Sequence, residues 1–158
     1  MSKVIMICGK LCSGKSTYAE KLKKNGKAVL LSVDELMLDI LEPRLGDMHD
    51  EYVRRTKGYL LKKSLEVLAS EADVILDWGF WSRHERESVK GFYSEKNICT
   101  ELHYINVSDN EWTQRITRRN ALVEAGETSA YYVDEGLAEK FRSLFEEPDK
   151  NEIDVQVY

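Results

Sequence analysis

The sequence contains little cysteine and proline and has no long apolar run. Its three cysteines, Cys8, Cys12 and Cys99, are odd in number and lack the spacing of metal ligands. So few thiols argue against a disulfide framework and are typical of a reducing compartment. The apolar run at residues 4–8 is too short for a signal peptide or a membrane-spanning helix. We therefore expect a cytoplasmic protein with no membrane association.

An excess of positive charge is also missing. The 158 residues carry a formal net charge of -5, which counts against a large nucleic-acid-binding surface because such surfaces are usually basic. A small basic cleft remains compatible with this charge. The hydrophobic fraction of 42% and the charged fraction of 32% are those of a soluble globular protein. The length indicates one domain over residues 1–158 and leaves the oligomeric state open.

Short apolar segments alternate with helical patterns along the whole chain. The first segment, residues 4–8, is continuously apolar and rich in β-branched residues, as in a strand buried on both faces. Similar segments cover residues 28–31, 74–76, 102–107 and 153–158. Strands that alternate with helices predict an α/β fold with a doubly wound parallel sheet.

Several helix starts can be located from their capping residues. The pattern S-x-x-E occurs at residues 32–35, 82–85 and 108–111, each shortly after a predicted strand. A longer helix is predicted over about residues 50–70, and the final helix is predicted to start at Asp134. Three helix N-termini therefore open at the carboxyl edge of the sheet, where ligands bind in such folds.

The stretch "CGKLCSGKST" fits the phosphate-binding pattern G-x-x-x-x-G-K-[ST] without a mismatch. It lies between a predicted buried strand and a predicted helix, which is the context that the pattern requires. Lys15 is predicted to reach the β- and γ-phosphates, and the Ser16 hydroxyl to bind Mg²⁺. The predicted ATP-binding residues of this loop are Gly9, Leu11, Cys12, Ser13, Gly14, Lys15, Ser16 and Thr17.

Two aspartates follow predicted strands and are candidate functional acids. Asp34 lies in a first helical turn, where the helix dipole keeps a carboxylate ionised, and it is placed to orient an acceptor hydroxyl. An ordinary acidic helix start is the alternative. Asp77 ends an apolar strand, a usual position for a carboxylate near the Mg²⁺ of a phosphate loop. A turn-forming role for Asp77 stays open, as does contact with substrate rather than metal.

Aromatic and basic residues follow Asp77 in "DWGFWSRHER". Trp78, Phe80 and Trp81 cannot all point into the core, so at least one is expected to line a cleft, and we assign Trp81 to substrate. Arg83 and Arg86 lie near a helix N-terminus, where basic residues oppose the dipole. We predict that both bind an anionic or hydroxyl-rich substrate; the alternative is pairing with nearby surface acids.

A further helix carries three arginines in "EWTQRITRRN". If Trp112 and Ile116 face the core, steps of about 100° per residue put Arg115 and Arg119 beside that buried stripe. Arg118 then points further outward. The irregular segment 124–133 follows, so these arginines suit a lid over a transferring phosphoryl group. Basic residues that merely complement a helix C-terminus are the alternative.

Taken together, the chain resembles the small P-loop kinases that include zeta toxins, chloramphenicol phosphotransferase and polynucleotide kinases. The resemblance rests on "GKLCSGKST", "LSVDEL", "VILDWGFWSRHER", "QRITRRN" and "FRSLFEEPDKNE", which span nearly the whole sequence. It implies five parallel strands in the order 2-3-1-4-5, a helical lid, and ATP- and Mg²⁺-dependent phosphorylation of a hydroxyl. It also implies that Lys15 and Asp34 are catalytic, Asp34 as the base, and that Arg115 and Arg119 are catalytic lid arginines that contact ATP.

The sequence departs from that family at one position. Polynucleotide kinases and zeta toxins typically carry an arginine three residues after the catalytic aspartate, whereas this chain has Met37. Arg44 and Arg83 are the candidates to replace it. We predict an ATP-dependent kinase that acts on a small hydroxyl-bearing molecule. A kinase for a polynucleotide or nucleoside 5′-hydroxyl and a regulatory NTP-binding protein remain alternatives, and neither the acceptor nor the preference for ATP over GTP follows from the sequence.

Overall fold

The computed structural model describes residues 1–42, 45–128 and 132–158. Its five strands are β1 (Val4–Cys8), β2 (Ala28–Ser32), β3 (Asp73–Gly79), β4 (Thr100–Ile105) and β5 (Val155–Val157). They form one sheet in the order β2-β3-β1-β4-β5, and every neighbouring pair is parallel. The predicted fold class and strand order are therefore confirmed.

Six α-helices connect the strands in the described residues. They are α1 (Lys15–Asn25), α2 (Val33–Ile40), α3 (His49–Ala69), α4 (Arg83–Ser94), α5 (Asp109–Glu124) and α6 (Glu135–Leu144). A short 3₁₀ helix at Gly46–Met48, which the sequence reasoning missed, precedes α3. The predicted strand at residues 102–107 instead covers Thr100–Ile105, because hydrogen-bonded pairing with β1 begins two residues earlier.

The helix starts follow the predicted capping patterns. The hydroxyls of Ser32, Ser82 and Ser108 accept hydrogen bonds from the backbone N–H three residues later, at 3.1–3.3 Å. Asp134 caps α6 in the same way through the Leu137 N–H, at 2.7 Å. These bonds satisfy backbone donors that have no partner within the helix. For α2, α4 and α5, which follow β2, β3 and β4, the caps fix where each helix leaves the carboxyl edge of the sheet.

Both faces of the sheet are covered. Strand β1 is buried along its whole length, and it contributes Val4, Met6 and Cys8 to one cluster and Ile5 and Ile7 to another. A third cluster, around Trp112 and Ile116, packs α5 and α6 against the loop that follows β1. The core thus joins the helices to that loop. In the described part of the chain, none of the helices has both the length and the apolar character needed to cross a membrane.

Candidate active site

The loop between β1 and α1 is shaped by close backbone approaches. Gly14 has φ +96°, and a Cβ there would lie 2.8 Å from Nη1 of Arg115. A Cβ on Gly9 would lie 2.6 Å from Oγ of Ser13 and 3.0 Å from the Ile105 carbonyl oxygen. Both positions therefore require glycine, as expected for a backbone that wraps around phosphate.

The interior of this loop has polar groups suited to an anion. The ammonium of Lys15 donates to the Lys10 carbonyl at 2.6 Å, and burial lowers the pKa of Lys15 despite the opposing effect of Asp77. The Ser13 hydroxyl is 1% exposed and has no hydrogen-bond partner among the described residues. No side chain caps the N-terminus of α1, which leaves its backbone N–H groups for a ligand. These features fit a bound phosphate chain.

A pair of oxygen donors lies next to the loop. The Ser16 hydroxyl donates to Oδ2 of Asp77 at 2.9 Å. Burial raises the pKa of Asp77, whereas the Ser16 hydrogen bond and Lys15 act in the opposite direction. Mg²⁺ prefers oxygen ligands and is commonly held by one or two protein groups together with water and substrate phosphates. The Ser16–Asp77 pair therefore fits such an ion.

Asp34 lies in the first turn of α2, directly after β2. In the sheet register Ser32 pairs with Asp77, so the first turn of α2 starts beside the Ser16–Asp77 pair. The Asp34 side chain is exposed, and its charge contributes to the pKa values of both Lys15 and Asp77. Met37 is 8% exposed and packs with Val33 and Leu60, so it faces the core rather than a ligand. Arg44 lies outside the described residues.

Helix α5 brings two of its arginines to the phosphate loop. Arg115 donates from Nη1 to the Ser13 carbonyl at 2.6 Å, and Arg119 donates from Nη1 to the Cys12 sulfur at 3.3 Å. The indole N–H of Trp112 fixes the helix by donating to the Leu11 carbonyl at 2.5 Å. Arg118 is exposed, as its place on the helix predicts. The phosphate loop thus lies between Asp34 of α2 and Asp77 of β3 on one side and the arginines of α5 on the other.

Two predicted substrate residues, Trp81 and Arg83, follow β3 and differ in their surroundings. Trp81 is half-buried, with its edge against Phe141 at a centroid distance of 5.0 Å and its indole close to Gly79. Arg83 is exposed and forms surface ion pairs with Glu87 and Asp149, which is closer to the alternative of pairing with acids. Substrate binding by Trp81 and Arg83 stays a prediction.

The structure contradicts the assignment of Arg86 to substrate. Its side chain is 1% exposed and binds both carboxylate oxygens of Glu152, at 2.9 and 3.3 Å. Its guanidinium also donates to the backbone carbonyls of Phe80 and Glu146, at 3.0 and 2.8 Å. All of these partners are protein groups, and they leave the buried Arg86 side chain no face toward a ligand. Arg86 therefore connects the turn after β3 to the segment that follows α6.

Replacing Arg86 with methionine is expected to destabilise the fold by about 3–5 kcal/mol, because it leaves a partly buried carboxylate without its partner. The pKa of Glu152 is lowered, chiefly by its hydrogen bond with Arg86. The stability from this pair is therefore present above the usual carboxyl range and is lost as pH falls through the lowered pKa. Urea unfolding at neutral and acidic pH measures both effects, with Arg83→Met as the exposed control. Equal stability of the two variants at neutral pH would contradict the structural role.

The sequence did not predict that the segment after α6 would hold Arg86. Nothing near Arg86 identifies Glu152, which lies 66 residues further along the chain. The same segment contacts Trp81, whose carbonyl accepts from the Glu146 N–H at 2.7 Å. Only the shared tail motif pointed to this region, without a role for any of its residues.

The strand order, the glycine loop and the Ser16–Asp77 pair define a P-loop nucleotide-binding fold of the small-kinase type. A protein-family model described as an AAA domain matches residues 4–148, and the chain belongs to that family. This match and the solved structures confirm the resemblance to small P-loop kinases that the sequence suggested. No curated protein matches the sequence.

Solved structures of similar fold share low sequence identity. A provisionally assigned kinase from Chloroflexus aurantiacus has 18% identity and a TM-score of 0.74, covering 99% of this chain and 84% of that one. The Pnkp1/Rnl/Hen1 RNA repair complex contains a chain with 17% identity and a TM-score of 0.71, covering 90% and 43%. The APS kinase CysC of Mycobacterium tuberculosis, solved with AMPPNP and APS, has 18% identity and a TM-score of 0.61, covering 99% and 87%.

Proposed function

We propose that the protein is an ATP-dependent kinase that transfers the γ-phosphoryl group to a hydroxyl of a small molecule. The observation that supports this proposal best is the contact between Arg115, Arg119 and the phosphate loop. A protein that only binds nucleotide has little need for two arginines at the place where negative charge develops on a transferring phosphoryl group. Free thiols and the lack of a spanning helix in the described residues agree with a cytoplasmic location.

The phosphate-loop residues bind the donor in this proposal. Backbone N–H groups of the loop and the Lys15 ammonium hold the β- and γ-phosphates. Ser16 and Asp77 are the residues that would hold Mg²⁺, which when bound neutralises charge on the phosphates. Burial lowers the pKa of Lys15 and so disfavours its charged ammonium. The negative charge of a bound phosphate chain acts in the opposite direction and stabilises the ammonium.

Asp34 and the arginines act on the transfer itself. As the acceptor oxygen forms its bond to the γ-phosphorus, the bond to the β–γ bridging oxygen breaks and ADP leaves. The hydroxyl proton passes to the Asp34 carboxylate, which is exposed in the first turn of α2. Arg115 and Arg119 neutralise the charge on the equatorial oxygens. Proton acceptance and charge neutralisation are thus assigned to opposite sides of the loop.

A screen of acceptors tests this function. The protein is incubated with ATP, Mg²⁺ and sugars, nucleosides, antibiotics or 5′-hydroxyl oligonucleotides, and mass spectrometry detects the addition of one HPO₃ group. We expect transfer to a small hydroxyl compound that depends on Asp34. Transfer to oligonucleotides alone would support a polynucleotide kinase, in line with the similar chain in the RNA repair complex. Nucleotide binding with no transfer to any acceptor would favour a regulatory NTP-binding protein and overturn the proposal.

A further inference from the structure

An ion pair outside the phosphate-loop site joins α3 to α4. Lys57 of α3 contacts Glu85 of α4, and their side chains are 27% and 23% exposed. The Lys57 ammonium also lies 6.0 Å from the centroid of the Trp78 ring. The pair is buried enough to be held in place and exposed enough for a ligand to reach it.

Trp78 connects this pair to the proposed acceptor side of the site. Its indole N–H donates to the Leu31 carbonyl at 3.0 Å, three residues before Asp34, and its ring stacks on Phe80. Trp78 also directly follows Asp77 in β3. The Trp78 side chain packs on the α3 face of the sheet, whereas the Asp77 carboxylate bonds to Ser16 of α1 on the other face. Lys57 therefore approaches the carboxyl edge of the sheet from the α3 face.

Glu85 does not serve its own helix cap with its side chain. Its backbone N–H donates to the Ser82 hydroxyl at 3.1 Å, which is one half of a capping box. In a complete box the glutamate side chain returns to the N-cap backbone N–H. Here the Glu85 carboxylate instead accepts from Lys57. Glu111 of α5 behaves in the same way, because its side chain pairs with Arg115 at the phosphate loop and does not return to its own helix cap.

The described residues of α3 and α4 around the pair carry no excess positive charge. In the described N-terminal halves of α3 and α4, each lysine and arginine pairs with a carboxylate: Arg54 and Arg55 with Glu51, Lys57 with Glu85, Arg83 with Glu87 and Asp149, and Arg86 with Glu152. A phosphate- or carboxylate-bearing acceptor would need a cation that these carboxylates already neutralise. This side of the site therefore favours an uncharged acceptor.

We propose that Lys57 and Glu85 bind the acceptor, and that the acceptor is an uncharged molecule with adjacent hydroxyl groups, such as a sugar or a nucleoside. The inference rests on the proposed kinase function. An ammonium has three donors and a carboxylate has several acceptor positions, so the pair keeps unused capacity for hydrogen bonds. One hydroxyl of a diol accepts from Lys57 and the adjacent hydroxyl donates to Glu85. A third hydroxyl of the same molecule is then directed to Asp34.

Steady-state kinetics with the variants Lys57→Met and Glu85→Gln test this subsite. For the best sugar or nucleoside from the screen, each variant is expected to raise the acceptor KM by about tenfold or more. The reason is that each variant loses at least one partly buried hydrogen bond to the acceptor. The KM for ATP should stay within roughly twofold, since these residues do not contact the phosphate loop. Lys63→Met is the matched control, because Lys63 forms an exposed pair with Glu66 on the same helix.

Each outcome separates the subsite from the kinase function. A larger acceptor KM in both variants, with unchanged ATP KM and unchanged Lys63→Met, supports the subsite for a sugar or for a nucleoside. Transfer only to anionic or apolar acceptors, or equal acceptor KM in Glu85→Gln and the unaltered protein, overturns it and leaves the kinase function intact. Transfer to no acceptor at all overturns the kinase function first. Glu85→Gln keeps the side-chain shape, so the test does not depend on Lys57→Met folding.

Discussion

Replacing Asp34 with asparagine is expected to reduce phosphoryl transfer by roughly 10²–10⁴-fold, the usual contribution of a general base. Asparagine keeps the size of the side chain but cannot accept the hydroxyl proton. ATP affinity should change little, because Asp34 is exposed at the start of α2 and makes no hydrogen bond to the phosphate loop among the described contacts. Transfer is measured with the acceptor from the screen, and binding with a non-hydrolysable ATP analogue by calorimetry.

Glu35→Gln provides the control for Asp34. Glu35 is the next residue, is also exposed in the first turn of α2, and affects the helix dipole in a similar way. A general loss of negative charge at this helix end would therefore lower activity in both variants. Full activity in Asp34→Asn, or an equal loss in Glu35→Gln, would contradict the assignment of Asp34 as the base.

Replacing Arg115 with methionine is expected to lower the rate of transfer by on the order of 10³-fold or more, as found where an arginine neutralises a transferring phosphoryl group. Methionine keeps an unbranched apolar stem but removes the guanidinium. Nη1 of Arg115 lies 2.6 Å from the Ser13 carbonyl oxygen and would meet a Cβ on Gly14 at 2.8 Å, so the guanidinium is at the loop itself. Single-turnover kinetics isolate this step from product release.

Arg118→Met is the matched control for Arg115. It removes the same charge from the same helix, but the Arg118 side chain is exposed to solvent. A loss caused only by weaker long-range attraction to ATP would be similar in the two variants and would decrease at high salt. A rate for Arg115→Met close to that of Arg118→Met would remove Arg115 from the transfer step.

Local patterns predicted the strands, the helix caps and the phosphate loop because each depends on residues close together in sequence. The Ser32, Ser82 and Ser108 caps act over three residues, and the requirement for glycine at residue 14 comes from its own backbone angle. The convergence of Asp34 and Asp77 also follows from local information, since parallel strands end at one edge of the sheet.

The wrong and missing assignments involve partners that are distant in sequence. Arg86 near a helix N-terminus suggested a ligand, but its partner Glu152 is 66 residues away and is brought close by packing after α6. The Lys57–Glu85 pair joins two helices separated by β3, and no spacing rule connects them. Met37 could be recognised as a departure from the family, whereas its burial against Leu60 required the position of α3.

The Arg86–Glu152 contact also affects the order in which the chain matures during synthesis. The first 86 residues contain the phosphate loop, Asp34 and Asp77, and their strands β1, β2 and β3 pair with one another. Arg86, however, has no carboxylate to meet until Glu152 has left the ribosome, about 66 residues later. The nascent protein is therefore expected to hold a partly formed nucleotide site with an unsatisfied interior charge. Chaperones and proteases would encounter it in that form.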